Sequence, residues 1–140
     1  MSNIATESGL PNKVIVTTTR APGIQQFLWM VQVFTVPGVI STGVGRARFY
    51  CPGAATLNRI RASVGSAPTG SDIIVDVNKN GTTVFTTQTA RPKIFAGQTT
   101  ATGTPAITTI AQGDYITVDI DAVGSLFAGS DLTVQVELTP

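Results

Sequence analysis

Residues 114–123, DYITVDIDAV, decide the reading of this chain. Ile116, Val118 and Ile120 leave the backbone on one side, and Tyr115, Thr117, Asp119 and Asp121 leave it on the other. Residues 131–138, DLTVQVEL, repeat the pattern, with Leu132, Val134, Val136 and Leu138 on one face and Thr133, Gln135 and Glu137 on the other. Successive side chains of a strand point to opposite faces, so a half-buried antiparallel sheet requires this period-2 alternation. Such strands predict an all-β fold, an antiparallel two-sheet sandwich that is jelly-roll-like.

Upstream, residues 71–78 and 82–87 read as a hairpin. Ile73, Val75 and Val77 face inward, and Asn78-Lys79-Asn80-Gly81 makes the turn, because Asn and Gly tolerate positive φ. Residues 56–64 form a strand with Ile60, Ala62 and Val64 on one face and Arg59 and Arg61 on the other. Residues 46–50 form another, ended by Cys51-Pro52-Gly53. Pro92 cannot donate to a ladder, which makes residues 91–95 a short edge strand. Residues 97–105, GQTTATGTP, read as a polar loop, and 107–110 lead into the strand at Asp114. The pattern predicts one core formed by Ile73, Val75, Val77, Ile116, Val118, Ile120, Leu132, Val134 and Val136.

The beginning of the chain reads differently. Residues 1–11 are polar and predict an extended N-terminal arm. Residues 13–19 predict a strand, with Val14 and Val16 facing away from Ile15, and Ala21-Pro22-Gly23 is a turn signal. Residues 24–40, IQQFLWMVQVFTVPGVI, are the most apolar stretch. A membrane helix needs about 20 predominantly apolar residues. Gln25, Gln26, Gln32 and Pro37 interrupt this run, so no membrane span is expected. The β-branched and aromatic content favours a strand over a helix at residues 25–35. Apolar side chains on both sides predict burial on both faces. Either one face meets the core and the other a partner, or the strand is central and covered within the monomer.

Length and composition bound the rest. One domain over residues 1–140 is expected, with the arm at 1–11 and the sandwich at 13–138, large enough for a core without staples. Only 12% of residues are charged, so Thr, Ser, Gly and Gln must carry the surface. A weakly charged surface suits a protein packed among copies of itself or its neighbours, although an ordinary soluble β domain also fits. Residues 1–70 carry six basic side chains against Glu7 alone, and residues 71–140 carry three against seven acidic ones. That asymmetry can pair the halves within one molecule or pair neighbours head to tail. It is too weak for a nucleic-acid footprint, so no nucleic-acid partner is expected. Residues 1–11 lack the features of a secretory leader, which predicts synthesis in a cytoplasm.

Chemistry-bearing residues are few. The chain has no histidine, which excludes Ser–His and Cys–His nucleophiles. Cys51 is the single cysteine, so neither an internal disulfide nor a Cys-rich metal site is possible. With Tyr50 and Pro52 beside it and no activating base, it reads as a structural thiol. Asp119 and Asp121, with Asp131 downstream, raise the question of a Ca²⁺ site or an acid/base pair. They lack the Ca²⁺-loop pattern and sit in a strand, so a solvated face or pairing with arginines is the better reading. Arg46 and Arg48 share one strand face, as do Arg59 and Arg61. Together they suit phosphates or a neighbour's carboxylates, or else cross-strand pairs with Asp119, Asp121 or Glu137. Gly43-Val44-Gly45 lacks the spacing of a phosphate loop. No catalytic residue, cofactor, metal or small-molecule ligand is expected.

Residues 56–138 resemble a β-sandwich module of structural proteins in tailed-bacteriophage virions. The likeness is carried by RASVGSAPTG at 61–70 and IVDVNKNGTTVF at 74–85. Gln112-Gly113-Asp114 with Thr117-Val118-Asp119, and Gly129-Ser130-Asp131-Leu132-Thr133-Val134, complete it. The resemblance implies a virion component: a capsid decoration (cement) protein, or a tail or fibre module that binds host-surface carbohydrate. The short chain favours decoration. That reading expects a non-enzymatic homo-oligomer, a trimer, bound to the major capsid protein lattice. Its expected interface comprises Phe27, Leu28, Trp29, Met30, Val31, Val33 and Phe34 with Arg46, Arg48, Arg59 and Arg61, because large exposed apolar patches mark interfaces.

Overall fold

Alternating apolar positions sort the chain into two stacked sheets. The structure is a computed structural model, and it describes residues 30–45 and 48–140. The strands are β1 (Met30–Val39), β2 (Arg48–Tyr50), β3 (Ala55–Ser63), β4 (Ile73–Lys79), β5 (Thr82–Thr83), β6 (Lys93–Ile94), β7 (Thr100–Gly103), β8 (Thr109–Ile110), β9 (Tyr115–Ala122) and β10 (Ser130–Thr139). A 3-10 turn, Gln88–Ala90, lies between β5 and β6. One sheet has the order β1-β10-β3-β7, with β8 also on β3; the other has β2-β9-β4-β5, with β6 also on β4. Every pairing is antiparallel. The expected all-β sandwich is therefore the fold. The expected strand at 13–19 and the arm at 1–11 lie outside the described residues.

The inner faces meet in one core. β10 contributes Leu132, Val134, Val136 and Leu138, and β3 contributes Leu57, Ile60 and Ala62. β4 contributes Ile73, Val75 and Val77, and β9 contributes Ile116 and Ile120. The expected core is present with one change: Val118 is only partly buried and packs against its margin. It borders an apolar cavity of about 80 Å³ shared with Phe34, Val36, Ile120, Leu132 and Val134.

The hairpin turn is tighter than the sequence suggests. Lys79 pairs directly with Thr82, leaving Asn80-Gly81 as a two-residue loop. Asn80 has φ +51° and Gly81 φ +86°, the two positive values that such a turn needs. β5 stops at Thr83 instead of continuing to Thr87. Val84 and Phe85 are both fully buried, and two consecutive inward side chains cannot belong to a regular strand. The Thr83 hydroxyl accepts from the Phe85 amide as the chain turns inward.

Two further expectations need correction. Within the stretch read as a polar loop, residues 100–103 form β7 on the edge of β3. In addition, β1 is not covered on both faces within the chain. Among the described residues it stands at the end of its sheet, with Phe34 in the core but Val31 and Val33 48% and 45% exposed, which leaves the alternative of one face in the core and the other open. Pro37 suits this edge, having no amide to offer. One extra residue bulges between Val36 and Val39. There Gly38, at φ +77°, donates its amide to the Asp131 carboxylate at 2.8 Å.

Candidate functional site

The outer face of the β1-β10-β3-β7 sheet brings together several residues expected at an interface. Its cross-strand rows follow from the register. Val31 lies beside Glu137 and Glu137 beside Arg59. The next row is Val33, Gln135, Arg61 and Thr102, followed by Thr35, Thr133, Ser63 and Thr100. Two valines thus stand on β1, Glu137, Gln135 and Thr133 on β10 and two arginines on β3, with Thr102 and Thr100 beyond them on β7. Arg59 reaches Glu137 through Nε at 3.1 Å and Nη2 at 3.0 Å. Its side chain is nearly half exposed, so this is a surface ion pair of modest strength.

The remaining expected residues do not share that face. Phe34 points into the core, and Met30 is half-buried against it. Arg48 belongs to the other sheet, so the four arginines do not form one cluster. Asp119 and Asp121 also lie on that other sheet, which leaves Glu137 as the carboxylate opposite Arg59. Phe27, Leu28, Trp29 and Arg46 lie outside the described residues.

The outer face of the second sheet is different. Asp119 accepts the Gly45 amide at 2.7 Å and the Asn78 side-chain amide at 2.8 Å. Asp121 pairs with Arg91, whose Nε also donates to the Gln88 carbonyl. Asp76 is buried and accepts the Thr83 hydroxyl at 2.6 Å and the Val77 amide at 2.8 Å through one oxygen. Burial pushes its carboxyl above the ordinary carboxylate range, and the Asp121 charge adds to this; the two hydrogen bonds and Arg91 oppose it. Among the described residues, no group of three or more His, Cys, Asp or Glu is placed to hold a metal ion. Cys51 is buried, and desolvation raises its thiol above the ordinary range, which holds it as a thiol at neutral pH.

At one end of this second face lies a feature that sequence reading missed. The Arg48 guanidinium sits 4.3 Å from the centre of the Tyr115 ring and donates to the Tyr50 hydroxyl at 3.2 Å. The two tyrosine rings are 5.6 Å apart. Arg48 and Tyr50 are two apart, hence on one face, but nothing in the sequence says that Tyr115 is the residue opposite Tyr50. Nearby the Asn80-Gly81 turn docks on the 111–115 turn. Asp114 accepts the Ala111 amide and the Asn80 side chain, and these bonds hold its carboxyl below the ordinary range.

Among the described residues no helix is long and apolar enough to cross a membrane. Comparison with protein-family profiles and with curated proteins returns no match. Among solved structures, the chain is similar to a chain of the cyanophage Pam1 capsid asymmetric unit. That likeness has a TM-score of 0.44 and 15% identity, and covers 93% of this chain and 99% of the other.

Proposed function

We propose that this chain is a non-enzymatic virion structural protein of a tailed bacteriophage: a capsid decoration protein that binds the major capsid protein lattice as a homo-oligomer, a trimer. The observation that carries the reading is the outer face of the β1-β10-β3-β7 sheet. It is a face of Thr, Gln and Ser, with the exposed Val31 and Val33 on one strand and Arg59 and Arg61 on another. Such a face suits contact with another protein surface, with an apolar strip for burial and guanidinium groups for a partner's carboxylates. The phage-module resemblance over residues 56–138 supports the same reading. So does the strand order. If β5 and β6 count as one position and β7 and β8 as another, the sheets read 1-8-3-6 and 2-7-4-5. That order supports reading the sandwich as the double Greek key of a jelly roll, an architecture used in capsid domains.

Arg48, on the other sheet of the sandwich, belongs to this proposal only as a second contact. A second reading, a tail or fibre module that binds carbohydrate, is favoured by the Arg48–Tyr50–Tyr115 cluster. Tyr50 is well exposed, and aromatic faces stack on apolar sugar faces. Quantitative protein analysis of purified virions separates the two. Decoration predicts a copy number that scales with the number of capsid lattice positions. A copy number fixed at that of a single tail would overturn it.

A further inference from the structure

Asn80-Gly81 is the one Asn-Gly pair in the sequence, and the fold sets it at the exposed tip of the β4–β5 hairpin. An Asn carboxamide that precedes glycine has a nucleophile within reach, because the next backbone nitrogen has no neighbouring side chain to hinder its approach. Here the carboxamide is held at both ends. Its Nδ2 donates to the Asp114 carboxylate at 2.8 Å, and its Oδ1 accepts the Tyr115 amide at 3.0 Å. The Asn80 amide donates to the Tyr115 carbonyl at 2.9 Å. Asp114 in turn accepts the Ala111 amide at 2.8 Å, and Lys79 Nζ lies 3.9 Å from it.

We propose that Asn80 is a self-modification site, converted to aspartate and isoaspartate through attack by the Gly81 nitrogen, and that docking on Asp114 and Tyr115 restrains this conversion. The inference does not depend on the virion reading. The Gly81 nitrogen bonds to the side-chain carbonyl carbon of Asn80. The bond from that carbon to Nδ2 breaks, and Nδ2 leaves as ammonia with the Gly81 proton. Water then opens the cyclic imide. Cleavage at the side-chain carbonyl gives aspartate, and cleavage at the main-chain carbonyl gives isoaspartate. Attack must turn the carboxamide toward Gly81 and out of its two hydrogen bonds, so conversion follows local opening of the turn. The product then opposes redocking. In the aspartate form an oxygen replaces Nδ2, and two carboxylates meet where a donor met an acceptor, with Lys79 as the nearby cation. The isoaspartate form adds a main-chain carbon to a loop that two residues of positive φ close.

Peptide mass spectrometry of the full chain, aged in warm, mildly alkaline buffer, tests this by following loss of the amide at each asparagine. The folded parent should convert at Asn80 and not at Asn58 or Asn78, which precede Arg59 and Lys79. Denaturing the parent should speed conversion at Asn80. Asp114→Ala should convert Asn80 several-fold faster than the folded parent, through loss of the charge-assisted bond, while β3 amides keep their protection from hydrogen exchange. Equal rates in the folded and the denatured parent would overturn the proposal, as would equal rates in the parent and Asp114→Ala. Asn80→Asp, made directly, tests the product without relying on that variant. It should lose exchange protection at the residue-80 amide and keep it in β3. Parent-like protection at residue 80 would overturn the claim that conversion undocks the turn.

Discussion

The two outer sheet faces share one core and one alternation but differ in how their polar groups are used. On the β2-β9-β4 face the polar groups bond to one another. Asp119 holds Gly45 and Asn78, Asp76 holds Thr83, Asp121 holds Arg91, and Asp76, Asn78 and Thr117 are buried. On the β1-β10-β3 face, Arg59–Glu137 is the ion pair among the described residues, and two valines stand exposed. Side chains already committed to each other resist re-pairing with a partner, because a partner would have to replace bonds that exist. The looser face exchanges water for protein at lower cost. This contrast is the reason for proposing the β1-β10-β3 face as the binding surface.

The largest effects should be equal on the two sheets, because their inner faces are one core. Ile60→Ala and Ile73→Ala should each cost about 2–5 kcal/mol in denaturant unfolding. Both residues are fully buried. A cost below about 0.5 kcal/mol for either would separate the sheets into unequal layers. Val118→Ala, at the cavity margin, should cost clearly less than either.

The outer faces should then diverge. Asp119→Ala leaves the Gly45 amide and the Asn78 side chain without their acceptor and should cost about 1–3 kcal/mol. Gln135→Ala on the opposite face should stay within about 0.5 kcal/mol of the parent. Equal costs would erase the contrast.

Acidity gives a subtler probe. The folded carboxyl of Asp76 titrates above its unfolded value, mainly through burial. The folded state therefore holds that proton more tightly. The stabilisation this provides is present below the unfolded value and is lost as pH rises through the folded one. Asp76→Asn, which keeps an acceptor for Thr83 and Val77, should gain stability relative to the parent as pH rises from acid to neutral. A stability difference flat across that range would mean that Asp76 is not desolvated.

Strands half-buried on a polar chain were legible: β9, β10, β3 and β4 show their inner faces in every second residue. β7 was not, because Thr100-Ala101-Thr102-Gly103 has a loop composition and becomes a strand through its pairing with β3. β1 misled for the opposite reason. It is apolar on both faces, and only the exposure of Val31 and Val33 shows that its outer face stays uncovered. Arg59 opposite Glu137 follows a cross-strand logic that spacing can suggest. The separation of Arg48 from Arg59 and Arg61 depends on which sheet each strand joins, a long-range fact no local pattern carries. The tilted contact of the Tyr50 and Tyr115 rings was hidden by the same distance in sequence.

A small expected effect on stability accompanies the variant that is most decisive for function. Val31→Glu with Val33→Glu should leave unfolding within about 1 kcal/mol of the parent, since both side chains are already near half exposed. Co-sedimentation with undecorated capsids measures what that face does. The double variant should stay folded and fail to sediment with capsids, while a Tyr50→Ala control binds as the parent does. A double variant that decorates capsids as fully as the parent would contradict the assignment of binding to this face.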